Sequence, residues 1–243
     1  MSKPRRILAI GGGGFMMEGR FAPIDRELLR LAGTSRPKIC LLPTPTGDAD
    51  ELLARFYKAY DPFCDARQLT PFRKLTDRCV RLRDIRDELM SFDAVFVTGG
   101  STRSALGVWR EWGIDVALKE AYRSGVLLTG MSAGAICWFE QGFTDSLGDG
   151  YSTLGGLGLL AGGCSAHHKY DGPRTSELLE YVRTGEMTRT LAIDDFSAVL
   201  FSDEQPVCLY SWGSGGSARY LKALDGGVVE TALKLPTTEL PGE

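Results

Sequence analysis

The sequence predicts an α/β protein built on a largely parallel sheet, with an antiparallel extension at one edge. Two observations carry this. Short β-branched apolar runs alternate with amphipathic, helix-length stretches through most of the chain, which is the pattern of βαβ units. After about residue 185 the pattern changes to closely spaced strand-length runs joined by tight turns.

The first run, Ile7 to Ile10, ends in Gly11-Gly12-Gly13-Gly14, and an amphipathic helix is expected over Pro23 to Ala32. Ile39 to Leu42 stops at Pro43, and Asp50 to Tyr60 carries a helical pattern. Asp93 to Val97 runs into Thr98-Gly99-Gly100, followed by two helical stretches between Thr102 and Arg123. Val126 to Thr129 leads into Gly130-Met131-Ser132-Ala133-Gly134, and a helix is expected from Ala133 to Glu140. Strands at Leu191–Ile193, Ala198–Phe201, Val207–Tyr210 and Ala218–Lys222 form the expected antiparallel extension. The residues from Pro236 to Glu243 read as a loose tail. No linker, repeat or low-complexity tract interrupts the chain, so residues 1–243 are expected to form one domain.

Composition narrows the function. A net charge of −3, with no basic run, argues against nucleic acid or an anionic membrane as the main partner. No apolar stretch approaches the roughly 20 residues of a membrane span, and the apolar run after Arg6 is too short for a secretory leader. The six cysteines are far apart, without a Cys-x-x-Cys pair, and several lie in strand-like runs. They read as small buried hydrophobes in a reducing compartment, which makes a cytoplasmic location the expectation.

The chemistry concentrates at Ser132. A Gly-x-Ser-x-Gly turn between a buried strand and a helix holds a serine hydroxyl above the carboxyl end of the sheet. The helix that starts there offers free N–H groups to a developing oxyanion. With 30 glycines in the chain the five-residue pattern alone says little, and its ordinary reading is a tight turn with a capping serine. The apolar strand before it and the apolar helix after it favour a nucleophile. Such a serine needs a base, and the chain has only His167 and His168. In an extended segment they would point to opposite faces, so one alone could reach Ser132. They lack the spacing of a zinc site, and no metal is expected. Candidates for the orienting acid are Asp145, Asp149, Asp171, Asp194 and Asp195. The order Ser, acid, His would select Asp145 or Asp149, whereas Ser, His, acid would select Asp194 or Asp195. The four glycines after the first strand fail the dinucleotide fingerprint because Met16 and Met17 stand where its third glycine belongs. They read instead as a backbone-lined loop over the site.

These residues, taken together, resemble the peptidase E (aspartyl dipeptidase) family, with the cyanophycinases as relatives. The landmarks are Gly11 to Phe15, Pro37 to Thr44, Gly99-Gly100-Ser101-Thr102, Gly130 to Glu140, Thr144-Asp145-Ser146 and Gly156 to Leu160, in that order. The resemblance implies a three-layer sandwich of the flavodoxin and class I glutamine-amidotransferase type. It implies a Ser-His-acid triad acting through an acyl-enzyme, with no metal or cofactor, a short peptide with N-terminal aspartate as substrate, and a dimer. Carried over position by position, it assigns the nucleophile to Ser132, the base to His167, the acid to Asp195 and the oxyanion hole to amides of Gly100 and Ala133. His168 and Asp194 remain alternates, and Asp145 matches another acidic family position. Three departures stand out. Ser101 replaces the usual asparagine, the segment Cys164 to Asp171 is altered around the histidines, and Phe196 occupies a glycine position. Arg20, Arg103 and Arg174 are candidates to pair with the substrate's carboxylate. The rival readings are a cyanophycinase-like or isoaspartyl peptidase, an esterase, and a catalytically silent small-ligand-binding relative. An amidotransferase would call for cysteine where Ser132 stands.

Overall fold

The computed structural model describes residues 3–169 and 172–242. Five parallel strands form the centre of the main sheet: β1 (Arg6–Gly12), β2 (Lys38–Leu42), β3 (Asp65–Gln68), β4 (Ala94–Val97) and β5 (Leu127–Met131). Alternate residues of each strand face opposite layers, as the two-residue period of a strand requires. Leu8, Ile10, Ile39, Leu41 and Phe96 pack under α1 (Gly14–Glu18), α2 (Pro23–Ala32) and α3 (Asp50–Tyr60). Ile7, Ala9, Cys40, Leu42, Val95 and Val97 pack under α4 (Ile85–Met90), α5 (Thr102–Trp112) and α6 (Ile114–Arg123). This is the three-layer arrangement the resemblance implied. Each fully buried Leu, Ile or Phe contributes about 1.5–3 kcal/mol, so two continuous apolar layers supply most of the driving force.

The helices begin and end where local chemistry allows. Pro23 opens α2 with its φ already fixed, and Gly33 closes it at φ 84°. The Ser101 hydroxyl caps α5 by accepting the Ser104 N–H at 3.2 Å.

Beyond β5 the chain does something the sequence did not show: it builds a second sheet. The helix α7 (Ala133–Ile136) is a single turn, and Phe139–Thr144 is strand β6 rather than the continuing helix expected to Glu140. The carbonyls that would extend the helix are taken by another segment, since Leu157 N–H donates to Cys137 and Leu159 and Leu160 to Trp138. With β7 (Ser152–Gly155), β8 (Leu160–Ser165) and β9 (Thr190–Ile193), β6 makes a partly parallel sheet extended by the hairpin β12 (Ala218–Leu224) and β13 (Gly227–Ala232). One face, through Phe139, Leu160, Leu191 and Ile193, joins the layer beneath α5 and α6. The other packs on α8 (Gly172–Arg183) through Phe143, Ala192, Leu178 and Val182.

The antiparallel extension is present, with its strands shared between the two sheets. The strand β10 (Ser197–Ser202) pairs antiparallel with β1 and β11 (Gln205–Ser211) antiparallel with β10, while β9 and β12 belong to the second sheet. The tail is not loose. Thr237–Glu239, strand β14, pairs parallel with β11, and Leu240 is buried.

Candidate active site

The site forms at the carboxyl ends of β1, β4 and β5. Ser132 sits at φ 56° and ψ −112°, a conformation that residues with a Cβ adopt only when their surroundings impose it. Its N–H donates to the Ile10 carbonyl at 3.0 Å, which ties the turn to β1. The flanking glycines are a packing requirement. A Cβ on Gly130 would lie 2.5 Å from the Gly134 carbonyl oxygen, and one on Gly134 would lie 2.2 Å from that of Val97. The Ser132 carbonyl accepts from Ala135 and Ile136, both at 2.9 Å, while the Ala133 N–H has no backbone acceptor among the described residues. Gly100, at φ 123°, is pressed so closely on Pro45 that a Cβ would lie 2.3 Å from the Pro45 carbonyl oxygen. Its N–H also has no backbone acceptor among the described residues.

His167 follows β8 and adopts φ 56°, another left-handed residue with a side chain. Its Nδ1 lies 2.5 Å from Asp195 Oδ1, with the imidazole 26% exposed and the carboxylate 11%. A neutral imidazole that donates from Nδ1 has Nε2 free to accept a proton, which is the form a general base needs. Ser132 and His167 border one cleft of about 410 Å³, together with Gly100, Ser101, Asp145 and Arg174. A hydrogen bond between Ser132 and His167 is not among those made by the described residues; such bonds often tighten only when substrate is bound.

Asp195 belongs to the three-residue link between β9 and β10, and it reaches His167 because of glycine. The link lies against the end of β1, where Gly12 and Asp195 form a bridge and Phe196 N–H donates to the Gly12 carbonyl at 2.9 Å. A Cβ on Gly11 would lie 2.1 Å from the Asp194 carbonyl oxygen. The glycine run therefore makes room for the acid as well as bordering the site. That signal was in the sequence, though nothing there named the partner. Phe196, where the resemblance expects glycine, has a left-handed backbone at φ 56°.

The other candidates go elsewhere. His168 turns inward and is 2% exposed; burial, with the Arg219 guanidinium nearby, pushes its pKa down. Asp194 is fully buried. It accepts from the Ser217 hydroxyl at 2.8 Å and from Arg219 at 3.1 Å, so it holds β12 against the link. Sequence reasoning missed Ser217 and Arg219, which carry no motif. Asp145 lies in the cleft wall, ion-paired with Arg174 at 3.2 Å, and Asp149 is exposed on the same loop. Tyr170 and Asp171 lie outside the described residues. Of the three arginines, Arg174 alone lines the cleft; Arg103 bonds the Thr153 carbonyl at 3.4 Å. Among the described residues no group of three or more His, Cys, Asp or Glu side chains could hold a metal ion.

The profile of peptidase family S51 matches residues 7–208. The chain belongs to that family, the peptidase E family. This peptidase is 34% identical over 230 residues to YgaJ, an uncharacterised peptidase of Bacillus subtilis (strain 168), covering 94% of this chain and 97% of the relative. Its fold resembles that of a protein of Listeria monocytogenes EGD-e whose crystal structure carries the name peptidase E. The TM-score is 0.60 at 16% identity, with 84% of this chain and 97% of that one covered. A peptidase from an acI-B1 actinobacterium gives a TM-score of 0.58 at 14% identity, covering 96% of this chain and 95% of that one. The protein is thus a serine-type peptidase. Among its described residues no helix is long and apolar enough to cross a membrane.

Proposed function

We propose that this peptidase hydrolyses dipeptides with an N-terminal aspartate through Ser132, His167 and Asp195. The observation that carries the reading is the 2.5 Å contact from Asp195 to His167, which lines one cleft with Ser132 and Arg174. His167 Nε2 takes the Ser132 proton as Oγ attacks the scissile carbonyl, and Asp195 stabilises the imidazolium that results. The N–H groups of Gly100 and Ala133 receive the oxyanion. The imidazolium then protonates the leaving amine, and water repeats the sequence on the acyl-enzyme. Arg174 pairs with the carboxylate of the aspartyl side chain, a task suited to a planar fork of donors.

The test is a dipeptide panel, Asp-Leu and Asp-Ala against Ala-Leu, Glu-Leu and Asn-Leu, with wild type and Ser132→Ala. Turnover confined to the aspartyl substrates and lost in the variant is the expected result. A wild type inert to the whole panel would overturn the aspartyl reading.

A further inference from the structure

The loop after β6 brings to the cleft an apolar side chain that the reaction does not use. Among the described residues bordering the cleft, Leu147 alone has an apolar side chain, the others being glycine, serine, aspartate, histidine and arginine. Leu147 is 57% exposed. A single exposed leucine is ordinary on a protein surface, and this one is set apart by bordering the cleft of Ser132 and His167. Its backbone is fastened in place. The Gly148 N–H donates to the Asp145 carbonyl at 2.9 Å, closing the turn Asp145-Ser146-Leu147-Gly148 with Leu147 at its third position. Aspartate first and glycine fourth are residues that such a turn favours. Two contacts tie the turn to its surroundings. Asp145 pairs with Arg174 at 3.2 Å, and the Ser146 hydroxyl accepts the Arg103 N–H at 3.4 Å at the start of α5.

We propose that Leu147 is the specificity-determining contact for the residue that follows the scissile bond, and that it selects dipeptides whose second side chain is apolar. This inference rests on the aspartyl dipeptidase reading and deepens it from the first residue of the substrate to the second. In a dipeptide with N-terminal aspartate the first side chain ends in a carboxylate, which Arg174 takes up. The second side chain is then the one part of the substrate that can be apolar. Arg174 and Leu147 border the same cleft of about 410 Å³, a size that holds a small molecule, so one bound dipeptide engages both. Laying an apolar side chain on Leu147 removes apolar surface of both partners from water. A polar side chain of the same shape gains nothing there and gives up hydrogen bonds to solvent. Asparagine is the matched comparison, because its side chain branches at the same carbon as that of leucine. The contact lies away from the bond that breaks, so it discriminates at the binding step.

Calorimetry on Ser132→Ala separates recognition from turnover. Asp-Leu and Asp-Asn are titrated into Ser132→Ala, Ser132→Ala/Leu147→Asn and Ser132→Ala/Leu147→Met, with thermal melts to establish that each variant is folded. Ser132→Ala is expected to bind Asp-Leu about tenfold tighter than Asp-Asn, the low end of what one apolar contact supplies in substrate discrimination. Leu147→Asn should erase the preference, and Leu147→Met, which keeps an apolar contact, should retain it. The kcat/KM of wild type should favour Asp-Leu by a similar factor. Equal affinity of Ser132→Ala for the two peptides overturns the proposal, as does a preference that survives Leu147→Asn, or binding of neither peptide. Wild-type turnover of both peptides at equal kcat/KM overturns it too, and leaves the aspartyl reading standing. A wild type inert to both, alongside a preference in Ser132→Ala that depends on Leu147, would instead sink the hydrolytic reading alone.

Discussion

Gly12 stands so close to Asp195 that a single methyl group on its Cα would lie 1.9 Å from the carboxylate oxygen that contacts His167, and 2.9 Å from His167 Cε1. The acid and the imidazole are thus seated on a bare stretch of backbone. Gly12→Ala should push the pair out of alignment while the sheet, held by its other strands, survives. A displacement of about 1 Å costs on the order of 100-fold in rate. We expect kcat to fall by at least that factor with the circular dichroism spectrum unchanged. Wild-type turnover in a folded Gly12→Ala protein would show that this acid does not position the base.

Ser132→Ala and His167→Gln should each lower kcat by a factor on the order of 10⁴ to 10⁶, and the double variant by little more, because the members of a triad act as a unit. Steady-state rates on Asp-Leu check this. Full additivity of the two losses would argue against joint action of Ser132 and His167.

Asp194 and Asp195 are adjacent, yet their substitutions should separate cleanly. Asp194→Asn removes the buried carboxylate that binds Arg219 and the Ser217 hydroxyl, and should cost about 1–3 kcal/mol of stability, since Arg219 is 27% exposed and keeps Glu230 at 3.6 Å. Asp195→Asn should cost little stability and several orders of magnitude in kcat, because the tautomer of His167 is then no longer held. Urea unfolding and kinetics on both variants decide between the two roles, and interchanged phenotypes would reassign the acid.

Stability should fall as pH rises through the neutral range, and Asp25 is the cause. It lies buried beneath α1, where its Oδ2 accepts the Phe15 and Ala22 N–H groups and its Oδ1 the Tyr60 hydroxyl. Burial outweighs these hydrogen bonds and pushes its pKa up from 3.8 to about 7. A raised folded-state value means that the native protein holds the proton more tightly than the unfolded chain does. The stabilisation is therefore complete below pH 3.8 and is lost as pH rises to about 7. Asn has the shape of the protonated acid and can give its N–H to Tyr60 while its oxygen accepts the two amides. The Tm of Asp25→Asn should decline less than that of wild type between pH 5 and 8, and parallel curves would rule Asp25 out as the source.

Much of this was legible in the sequence, for reasons that differ by element. The parallel strands and the helices α2, α3, α5 and α6 follow from local periodicity, and Ser132 from a turn that only glycines permit. Only the resemblance points to His167 and Asp195, because the choice between neighbours such as His167 and His168 depends on backbone rotation that the residue types do not encode. His167 is left-handed rather than extended, so the alternation argument separated the two histidines without saying which would face the cleft. The second sheet was hidden because β6, β7 and β8, which join the legible β9 and β12 into it, are short and contain glycine. Leu160-Ala161-Gly162-Gly163-Cys164-Ser165 has little hydrophobic alternation, and its place is set by pairing with β6 and β9. Arg219 could not be found at all, since its partner lies 25 residues away in the chain.

The link that carries Asp195 is also where the chain leaves one sheet and enters the other, while Ser132 and His167 come from opposite sides of that seam. Alignment of the three groups is therefore a measure of how the sheets are seated on each other.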